Sequence, residues 1–469
     1  MIEMRLADVA AVTGGRLHRA TGAEVVTSVE FDSRAVTPGA LFLALPGERV
    51  DGHDFAAAAV AAGAAGVLAA REVDAPAVVV PPAPAALAAD SYLAATDRDG
   101  SGAAVLAALA RLARWVLDRL PRLTVVGVTG SSGKTSTKDL LASVLAPLGP
   151  TVAPPGSFNN ELGLPWTVLR ADETTRHLVL EFSARGRGHI AGLAATVPPR
   201  IGVVLNVGRA HLGQFGSVEA IAAAKGELVE ALPADGLAVL NADQPEVAAM
   251  RRRTPARVVT TGRGPADIRA VDVRCERGRA RFRLVTPHGE APVALQLHGE
   301  HHVDNALAAA AVAVELGATP DQVAEALSAA TRVSRWRMEV TDRPDGVTVI
   351  NDAYNANPES MDAALRSLSS IGEGRRTWAV LGRMAELGDA APAAHAEVAA
   401  RARALGVDRL VAIDCPEYGA DVEVADVAEA LQLLRAELRP GDVVLVKASR
   451  SVGLDRLADR LVSEVVATA

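Results

Sequence analysis

Lysine is scarce in this 469-residue sequence, which contains only Lys134, Lys138, Lys225 and Lys447. Lysine and arginine together number 48, so 44 of them are arginine, and arginine supplies the ordinary positive charge of the chain. A guanidinium group stays charged and planar, whereas an ammonium group can fit among phosphate oxygens or lose its proton and be modified. We therefore expect the four lysines to include residues with specific chemical roles.

Other shortages exclude whole classes of protein. Cysteine occurs only at Cys275 and Cys415, in no metal-binding spacing, so we expect two thiols without a chemical role in a reducing cytoplasm. The net charge of −8 argues against nucleic-acid binding, which needs a basic face. We predict no signal peptide, because the first eight residues contain two acids and no apolar core. We also predict no membrane span, because the alanine-rich run 56–70 is too short and contains Gly63 and Gly66, which favour a helix, a turn and a short strand.

The length and the order of strand and helix signals predict three domains, at residues 1–101, 102–331 and 332–469. Strand-like and helix-like segments alternate in the second domain, which favours a largely parallel sheet. Residues 271–297 contain more strand signals and predict a small antiparallel extension. The fold class that follows is α/β.

Polar residues follow five of the apolar runs, where the predicted strands end. They are Glu181, Asn206, Asn241, Asp352 and Lys447. Ligands of open α/β sheets bind at the carboxyl ends of the strands, so these side chains are candidates for one ligand-binding edge. The alternative is that they are ordinary polar turns, which is how most strands end.

A glycine-rich loop precedes Lys134 and Thr135. An apolar strand leads into Gly130-Ser-Ser-Gly133, followed by Lys134, Thr135 and a predicted helix. Such loops surround phosphates with backbone N–H groups, while the lysine reaches the terminal phosphates and the hydroxyl meets Mg²⁺. The position five before Gly133 is Val128, so the strict glycine spacing is not kept. The strand and helix context nevertheless predicts nucleotide binding.

Lys225 lies on a predicted helix, over residues 220–232, among small residues that would let another chain approach. A neutral lysine amine can take up CO₂ as a carbamate, which turns a cation into an oxygen-bearing anion. With Glu181 and His211, that anion could hold a second Mg²⁺, since hard cations prefer oxygen ligands. The alternatives are a solvated lysine and an ordinary hydrogen-bonded histidine.

Together the motifs resemble a known family. They are the loop 127–135, Asn159-Asn160-Glu-Leu-Gly-Leu-Pro165, Asn206-Val-Gly-Arg-Ala-His211, Gly299-Glu-His-His-Val-Asp-Asn305, Asp352-Ala-Tyr-Asn-Ala-Asn-Pro-Glu-Ser-Met361, Gly382-Arg-Met-Ala-Glu-Leu-Gly388 and Lys447-Ala-Ser-Arg-Ser-Val-Gly-Leu454, with Asp32-Ser-Arg34 and Asp51-Gly-His-Asp-Phe55 in the first domain. In this order and spacing they resemble the ATP-dependent Mur ligases of peptidoglycan synthesis, over essentially the whole chain.

The resemblance implies a fold and a reaction. It implies a first domain that binds a UDP-linked substrate, a central phosphate-loop domain with a parallel sheet, and a Rossmann-like third domain. The reaction would join D-alanyl-D-alanine to UDP-N-acetylmuramoyl-tripeptide through an acyl phosphate, with ATP, two Mg²⁺ ions and a carbamylated Lys225 as cofactors. We expect a cytoplasmic monomer, without nucleic-acid or membrane partners. Whether the third peptide residue is lysine or a diaminopimelate isomer stays open.

The resemblance also implies roles for individual residues. Catalysis is assigned to Lys134, Glu181, His211, Lys225 and Arg337. Nucleotide binding is assigned to Gly130, Ser131, Ser132, Gly133, Lys134, Thr135, Ser136, Asn241, Asn305, Arg337 and Asp352. Metal binding is assigned to Thr135, Glu181, His211 and Lys225. Binding of the other substrates is assigned to Ser33, Arg34, Asn159, Asn160, Tyr354, Asn355 and Asn357.

Five positions depart from the family's usual residues, namely Ser183, His302, Trp336, Arg383 and Ala448. Three other functions stay open: a related ligase that uses a different amine, a phosphate-loop kinase or motor, and a silent nucleotide-binding module. Two lysines also have open roles. We expect Lys138 to be a surface charge, and Lys447 to help hold the dipeptide or a loop.

Overall fold

The computed structural model describes residues 1–83, 92–93, 96–210 and 212–463. The chain forms two compact units that alternate along the sequence. The first comprises Met1–Gly127, Gly149–Ser183 and Ala191–Arg200, and the second comprises Val128–Leu148, Ala184–Ile190 and Ile201–Ala469. The predicted domain boundaries after residues 101 and 331 stay a prediction, since each unit draws on more than one of the predicted domains.

The strands are short, as is usual for α/β proteins. They are β1 Met4–Arg5, β2 Arg16–His18, β3 Val25–Val26, β4 Ser28–Glu30, β5 Ala40–Leu43, β6 Gly66–Ala69, β7 Ala77–Val79, β8 Thr124–Thr129, β9 Thr151–Val152, β10 His177–Glu181, β11 Ile201–Val204, β12 Leu237–Asn241, β13 Arg257–Gly262, β14 Ile268–Glu276, β15 Arg279–Thr286, β16 Gly289–His298, β17 Glu339–Asp342, β18 Thr348–Asn351, β19 Thr377–Leu381, β20 Arg409–Ile413, β21 Val422–Val424 and β22 Val443–Lys447.

The α-helices lie between these strands. They are α1 Leu6–Thr13, α2 Ala56–Ala61, α3 Ser101–Leu117, α4 Lys134–Leu145, α5 Gly163–Val168, α6 His189–Thr196, α7 Leu212–Phe215, α8 Val218–Glu230, α9 Pro245–Ala248, α10 His302–Glu315, α11 Pro320–Ala329, α12 Pro358–Ile371, α13 Ala391–Ala404, α14 Val427–Glu437 and α15 Asp455–Ser463. Within the described residues, no helix has both the length and the apolar character that crossing a bilayer requires.

The first unit contains a five-stranded sheet in the order β2-β7-β6-β5-β4. Strands β4 to β7 run parallel, and β2 joins β7 in antiparallel fashion. The alanine-rich run 56–70 forms helix α2, a turn and strand β6, as its glycines predict. Helix α3 begins at Ser101 because the Asp97 carboxylate accepts the N–H groups of Gly102 and Ala103, at 3.0 and 2.8 Å.

The second unit contains strands that change from parallel to antiparallel pairing. Strands β11, β12, β13 and β14 are parallel neighbours, and β14, β15 and β16 then form an antiparallel meander. The antiparallel extension predicted for residues 271–297 is therefore confirmed. Helix α10 is buried over almost its whole surface, because its run of alanines allows the neighbouring elements to approach closely.

A separate sheet, which we name the carboxyl-terminal sheet, has the strand order β17-β18-β22-β19-β20-β21. All its pairs are parallel except β17 with β18. Helices α12 and α13 pack on one face through residues such as Leu365 and Val398, and α14 and α15 pack on the other through Leu431 and Leu457. Helices on both faces of a parallel sheet form the doubly wound arrangement, so the predicted Rossmann-like fold is confirmed.

Candidate functional site

The glycine-rich loop joins strand β8 to helix α4 in the second unit. Gly133 has a φ of +82°, a left-handed conformation that glycine adopts without a steric penalty. A Cβ atom at this position would lie 2.6 Å from Oδ1 of Asn305, so a side chain is excluded there. The predicted loop and helix are therefore confirmed, and Asn305 packs against the turn that precedes Lys134.

Asn206 holds the loop from the end of strand β11. Its side-chain oxygen accepts the N–H groups of Ser131 and Ser132, both at 2.9 Å, and its amide donates to the Ser132 carbonyl at 3.1 Å. Three hydrogen bonds from one side chain fix the loop without any contribution from a ligand. This role was not predicted from the sequence, although the position of Asn206 after a strand marked it as a candidate.

Lys134 and Ser131 make further hydrogen bonds, one within the loop and two to Gly208. Nζ of Lys134 donates to the Gly130 carbonyl at 2.7 Å, so its ammonium group lies over its own loop. The Ser131 hydroxyl accepts the Gly208 N–H at 2.8 Å and donates to the Gly208 carbonyl at 3.3 Å. Thr135, at the start of α4, is buried. The loop therefore holds its cation and a hydroxyl close to the N-terminal end of a helix, where anions bind.

Lys225 lies on helix α8 and is only 5% exposed. Burial and the nearby positive charge of Lys134 lower the pKa of the Lys225 amine well below its usual value. Within the described part of the chain, the amine has no hydrogen bond or ion pair that would offset these two effects. The structure therefore favours a neutral amine at position 225.

The small residues around Lys225 accommodate an arginine. The Arg253 guanidinium donates to the carbonyls of Ala222 and Ala223, at 3.1 and 2.7 Å, and to Glu230 at 2.8 Å. A Cβ atom at Gly226 would lie 1.9 Å from this guanidinium. The close approach predicted from the small side chains is thus made by Arg253, which fixes the position of α8.

Asn305 and His302 form a buried pair on helix α10. The Asn305 amide donates to Nδ1 of His302 at 3.3 Å, which requires that nitrogen to be unprotonated. Burial is the main cause that lowers the pKa of His302 well below its usual value, so a neutral ring fits this role. His302 replaces the family's usual asparagine and still supports Asn305.

Arg337 lies beside a cavity of about 280 Å³. Its guanidinium carbon is 4.1 Å from the centre of the Tyr354 ring, which fixes its position. The cavity is lined from helix α4, from strands β15 and β16 and from residues 331–340, including Ser136, Asp139, His302 and Arg337. The cavity thus brings together residues that were assigned to nucleotide binding from distant parts of the sequence.

Asp352 and Lys447 form a buried ion pair in the carboxyl-terminal sheet. Nζ of Lys447 donates to Asp352 Oδ2 at 2.6 Å and to the Asn355 carbonyl at 2.7 Å. The other carboxylate oxygen accepts the N–H of Met338 at 3.0 Å. Lys447 therefore holds the loop that contains Asp352, in agreement with one of its two predicted roles.

Several assigned side chains stabilise local structure. Asn241 donates to the Leu205 carbonyl at 3.1 Å and accepts the Asp243 N–H at 3.0 Å. Asn357 begins helix α12 by accepting the N–H of Ser360 at 2.9 Å. These contacts explain an asparagine at the end of strand β12 and another at the start of helix α12, and their roles towards ligands stay predictions.

Glu181 is a fully buried carboxylate in the first unit, at the end of strand β10. Its Oε2 atom accepts hydrogen bonds from Ser157 at 3.0 Å and Asn159 at 3.3 Å. Its Oε1 atom is buried and, within the described residues, has no hydrogen-bond partner. A buried carboxylate oxygen of this kind has the chemistry of a cation ligand.

The other residues of the first unit that were assigned to substrate binding are Asn160, Arg34 and Ser33. Asn160 accepts the N–H groups of Leu162 and Gly163, at 3.2 and 2.9 Å, and so supports the start of α5. Arg34 is highly exposed and pairs with Asp32 at 2.7 Å, while Ser33 is half-buried. The Ser183 hydroxyl, one of the departures, donates to the Asn159 carbonyl at 2.7 Å.

The three remaining departures from the family's usual residues, Trp336, Arg383 and Ala448, lie in different surroundings. Trp336 has a φ of +58°, with the Arg450 guanidinium 4.1 Å from its ring centre. Arg383 faces Asp414 at 3.7 Å in an exposed setting, and Ala448 is fully buried. His211 lies outside the described residues. Among those described, no cluster of three or more histidine, cysteine, aspartate or glutamate residues forms a metal site.

Lys138 contradicts the prediction that it is a surface charge. Its side chain is 1% exposed, and its Nζ atom lies 2.5 Å from Oδ1 of Asp139. A lysine one helical turn after the loop is expected to face solvent, but helix α4 packs against α10, and the side chain of Lys138 is among the buried residues of α4. The two cysteines are free, as predicted.

Family models cover most of the chain. The Mur ligase family catalytic domain matches residues 25–114, the Mur ligase middle domain matches 128–313, and the glutamate ligase domain of Mur ligases matches 336–450. The curated UDP-N-acetylmuramoyl-tripeptide–D-alanyl-D-alanine ligase of Mycobacterium bovis is 55% identical, over 99% of this chain and 98% of its own length. That of Escherichia coli is 33% identical, over 98% and 99%.

Solved structures agree with these sequence matches. A crystal structure of MurF from Acinetobacter baumannii has a TM-score of 0.84 and 30% identity, and covers 98% of this chain and 99% of its own. MurF from Thermotoga maritima in complex with ADP has a TM-score of 0.78 and 29% identity, and covers 95% of this chain and 99% of its own. The chain therefore belongs to the Mur ligase family.

Proposed function

We propose that this chain joins D-alanyl-D-alanine to UDP-N-acetylmuramoyl-tripeptide, with conversion of ATP to ADP and phosphate. The observation that carries the proposal is the match along nearly the full length to relatives named for this reaction, at up to 55% identity. Two observations support it independently: the phosphate loop held by Asn206, and the buried amine of Lys225, which has no partner within the described residues. The product is a peptidoglycan precursor that carries a pentapeptide.

The reaction needs activation because a carboxylate and an amine do not condense favourably in water. In the first step, a terminal carboxylate oxygen of the tripeptide attacks the γ-phosphorus of ATP, and the bond to the bridging oxygen of ADP breaks. In the second step, the dipeptide amine attacks the acyl carbon, phosphate leaves with the carboxyl oxygen, and the nitrogen loses a proton. Such reactions depend mainly on positioning and on charge stabilisation.

Lys134 and Arg337 carry the positive charge that this chain brings to ATP. Lys134 would exchange its hydrogen bond with the Gly130 carbonyl for the β- and γ-phosphates. The cavity of about 280 Å³ beside Ser136 and Arg337 offers a place for the nucleoside. Asn305 and Asp352 do not line it, but they hold two residues that do, His302 and Met338. The ADP complex of the Thermotoga maritima MurF supports the use of an adenine nucleotide.

Two Mg²⁺ ions would be held by Thr135, Glu181, His211 and a carbamylated Lys225. The residues present fit this group, since Glu181 has a buried oxygen without a partner within the described chain and Lys225 is a buried amine of low pKa. Addition of CO₂ to the neutral amine, with loss of a proton, gives the carbamate oxygens that a hard cation prefers. The ions would neutralise the negative charge of the phosphate oxygens when bound.

The first unit would bind the UDP-linked substrate. The exposed Arg34 guanidinium, held in place by Asp32, is suited to a phosphate group, and Ser33 lies beside it. Asn159 and Asn160 would orient the peptide, while Tyr354, Asn355 and Asn357 would face the substrates from the carboxyl-terminal sheet. We also propose a cytoplasmic location, since ATP and UDP-linked precursors are cytoplasmic compounds. For the oligomeric state we propose a monomer.

The test is phosphate release from ATP with UDP-N-acetylmuramoyl-tripeptide and a series of amines. D-Alanyl-D-alanine should give rapid release, whereas single amino acids and L-alanyl-L-alanine should give release near the background. Rapid release with a single amino acid would point to a different ligase of the family. Release without any amine would point to a simple NTPase, and Lys134→Met provides the matched inactive control.

A further inference from the structure

The segment Asn206–Arg209 connects the phosphate loop to the helices of the carboxyl-terminal sheet. At one end, Asn206 and Gly208 make the hydrogen bonds with the loop that are described above. At the other end, the backbone N–H of Arg209 donates to Glu359 Oε1 at 2.9 Å. The segment thus contacts Ser131 and helix α12 through adjacent residues, Gly208 and Arg209.

The Arg209 side chain strengthens the connection to these helices. Its Nη1 atom donates to Glu397 on helix α13 at 2.9 Å, and its Nε atom lies 3.6 Å from Glu359 on α12. A Cβ atom at Gly208 would lie 2.7 Å from Cδ of Glu359. The carboxylate therefore packs directly against the residue that bonds to the Ser131 hydroxyl.

The ion pairs of Arg209 are suited to positioning and contribute little to stability. The side chains of Arg209 and Glu397 are 43% and 59% exposed, and exposed ion pairs add little to the free energy of folding. Beside them lies a cavity of about 530 Å³, lined also by Asp362, Arg366 and Arg401. Helices α12 and α13 both line this cavity, and Arg209 contacts a glutamate of each helix.

We propose that Arg209 is a positioning residue, which transmits the position of helices α12 and α13 to the phosphate loop through Gly208 and Ser131. This inference rests on the proposed ligase function, in which the carboxyl-terminal sheet takes part in catalysis. While Glu359 and Glu397 hold Arg209, Gly208 is fixed against Ser131 and the loop is set for phosphoryl transfer. When they release it, the loop binds nucleotide but transfers the phosphoryl group slowly.

The first experiment compares Arg209→Gln with Arg366→Gln. Arg366 lines the same cavity, but it pairs with Asp362 within its own helix, and among the described residues no hydrogen bond or ion pair joins it to the segment. In Arg209→Gln we expect kcat to fall by roughly tenfold, the size of a typical coupling between two sites. The Kd for ADP and the melting temperature should stay at wild-type values, and Arg366→Gln should behave as wild type.

A charge reversal tests the pairing itself. Glu397→Arg alone should lower kcat as Arg209→Glu does, and the double variant Arg209→Glu/Glu397→Arg should regain most of the loss. Unchanged kcat in Arg209→Gln, or an equal loss in Arg366→Gln, would overturn the proposal. An increase in the Kd for ADP that parallels the loss of kcat would also overturn it, since Arg209 would then act on nucleotide binding.

Amide hydrogen exchange separates this inference from the proposed function. In Arg209→Gln the N–H groups of Ser131, Ser132 and Gly208 should exchange faster than in the wild type, and in Arg366→Gln they should not. This readout needs no turnover, so it tests the connection even if the wild-type chain fails to release phosphate with D-alanyl-D-alanine. Equal exchange in all three proteins would contradict the connection, whatever the assay shows.

Discussion

The regions around Lys225 and Lys447 both bury an ammonium group, but they differ in how its charge is compensated. Lys447 is 2% exposed and has a carboxylate and a carbonyl within hydrogen-bond distance. Lys225 is almost as deeply buried, and within the described residues the charge that lowers its pKa is the positive charge of Lys134. Compensated burial keeps a lysine cationic, whereas uncompensated burial favours the neutral amine.

This difference separates a structural lysine from a reactive one. An ion pair that bridges a strand end and a loop acts as a fixed brace, as Lys447 does for Asp352 and Asn355. An unpaired buried amine is costly unless it loses its proton or is modified. Carbamate formation at Lys225 requires a neutral amine, and burial without a compensating charge favours that form. The same burial destabilises the folded protein, as is common at functional sites.

The largest expected effect is on activity, in Lys225→Arg. Arginine keeps a positive charge but cannot form a carbamate, so we expect kcat to fall on the order of a thousandfold, comparable with the loss of a group that stabilises transition-state charge. The measurement is phosphate release under saturating substrates. In ¹³C-bicarbonate, wild type and Lys447→Met should show a carbamate carbon by NMR, and Lys225→Arg should not. Near-normal turnover would refute the carbamate.

The next largest effect is on stability, in Lys447→Met. The substitution leaves the Asp352 carboxylate without its cation, and loss of one partner of a buried pair costs about 3–5 kcal/mol. Urea denaturation measures the free energy of unfolding. The double variant Lys447→Met/Asp352→Asn should recover a large part of the loss. If the double variant is no more stable than the single one, the pair does not explain the loss.

A pH effect tests the surroundings of Lys447. Burial lowers the pKa of His301 to about 4, from a usual value of 6.5. The unfolded chain therefore binds a proton more readily, so stability is lost as the pH falls from about 6.5 to about 4. His301→Gln should have a flatter dependence of unfolding free energy on pH in this range and match wild type above pH 7. An unchanged slope would contradict a lowered pKa of His301 in the folded protein.

The smallest effect is expected at Trp336, in the segment that Asp352 holds. Its left-handed backbone costs about 1 kcal/mol in any residue but glycine, while its stacking with Arg450 contributes about 0.5–1 kcal/mol. In Trp336→Gly the two changes should nearly cancel. Trp336→Ala should be less stable by about 1 kcal/mol, because it loses the stacking and still has a side chain at a left-handed position. Equal stabilities of the two variants, measured by urea denaturation, would show that the backbone is not strained.

The sequence predicts local features of the site better than its tertiary contacts. The loop before Lys134, the helix after it and the helix of Lys225 follow from glycine placement and hydrophobic pattern, which are local signals. The brace from Asn206 joins residues 75 positions apart, and nothing in either segment predicts that pairing. Asn206 was recognisable only as one of several polar residues at strand ends.

The error at Lys138 has the same origin. A lysine beside an aspartate on a helix usually faces solvent, and only the packing of α10 against α4 shows that this one does not. The partner of Lys447 could not be predicted either, because the pair with Asp352 spans 95 residues and depends on strands β18 and β22 being neighbours. Strand order is a property of the whole sheet, which local periodicity does not determine.

The guanidinium of Arg253 over Gly226 has a consequence for engineering. Replacement of a helical glycine by alanine is a routine way to raise thermal stability, and position 226, in the middle of α8, would be an obvious choice. Here the added methyl group would collide with the Arg253 guanidinium, which would have to shift and give up its hydrogen bonds to the carbonyls of Ala222 and Ala223. A library that changes residue 226 therefore has to vary residue 253 together with it.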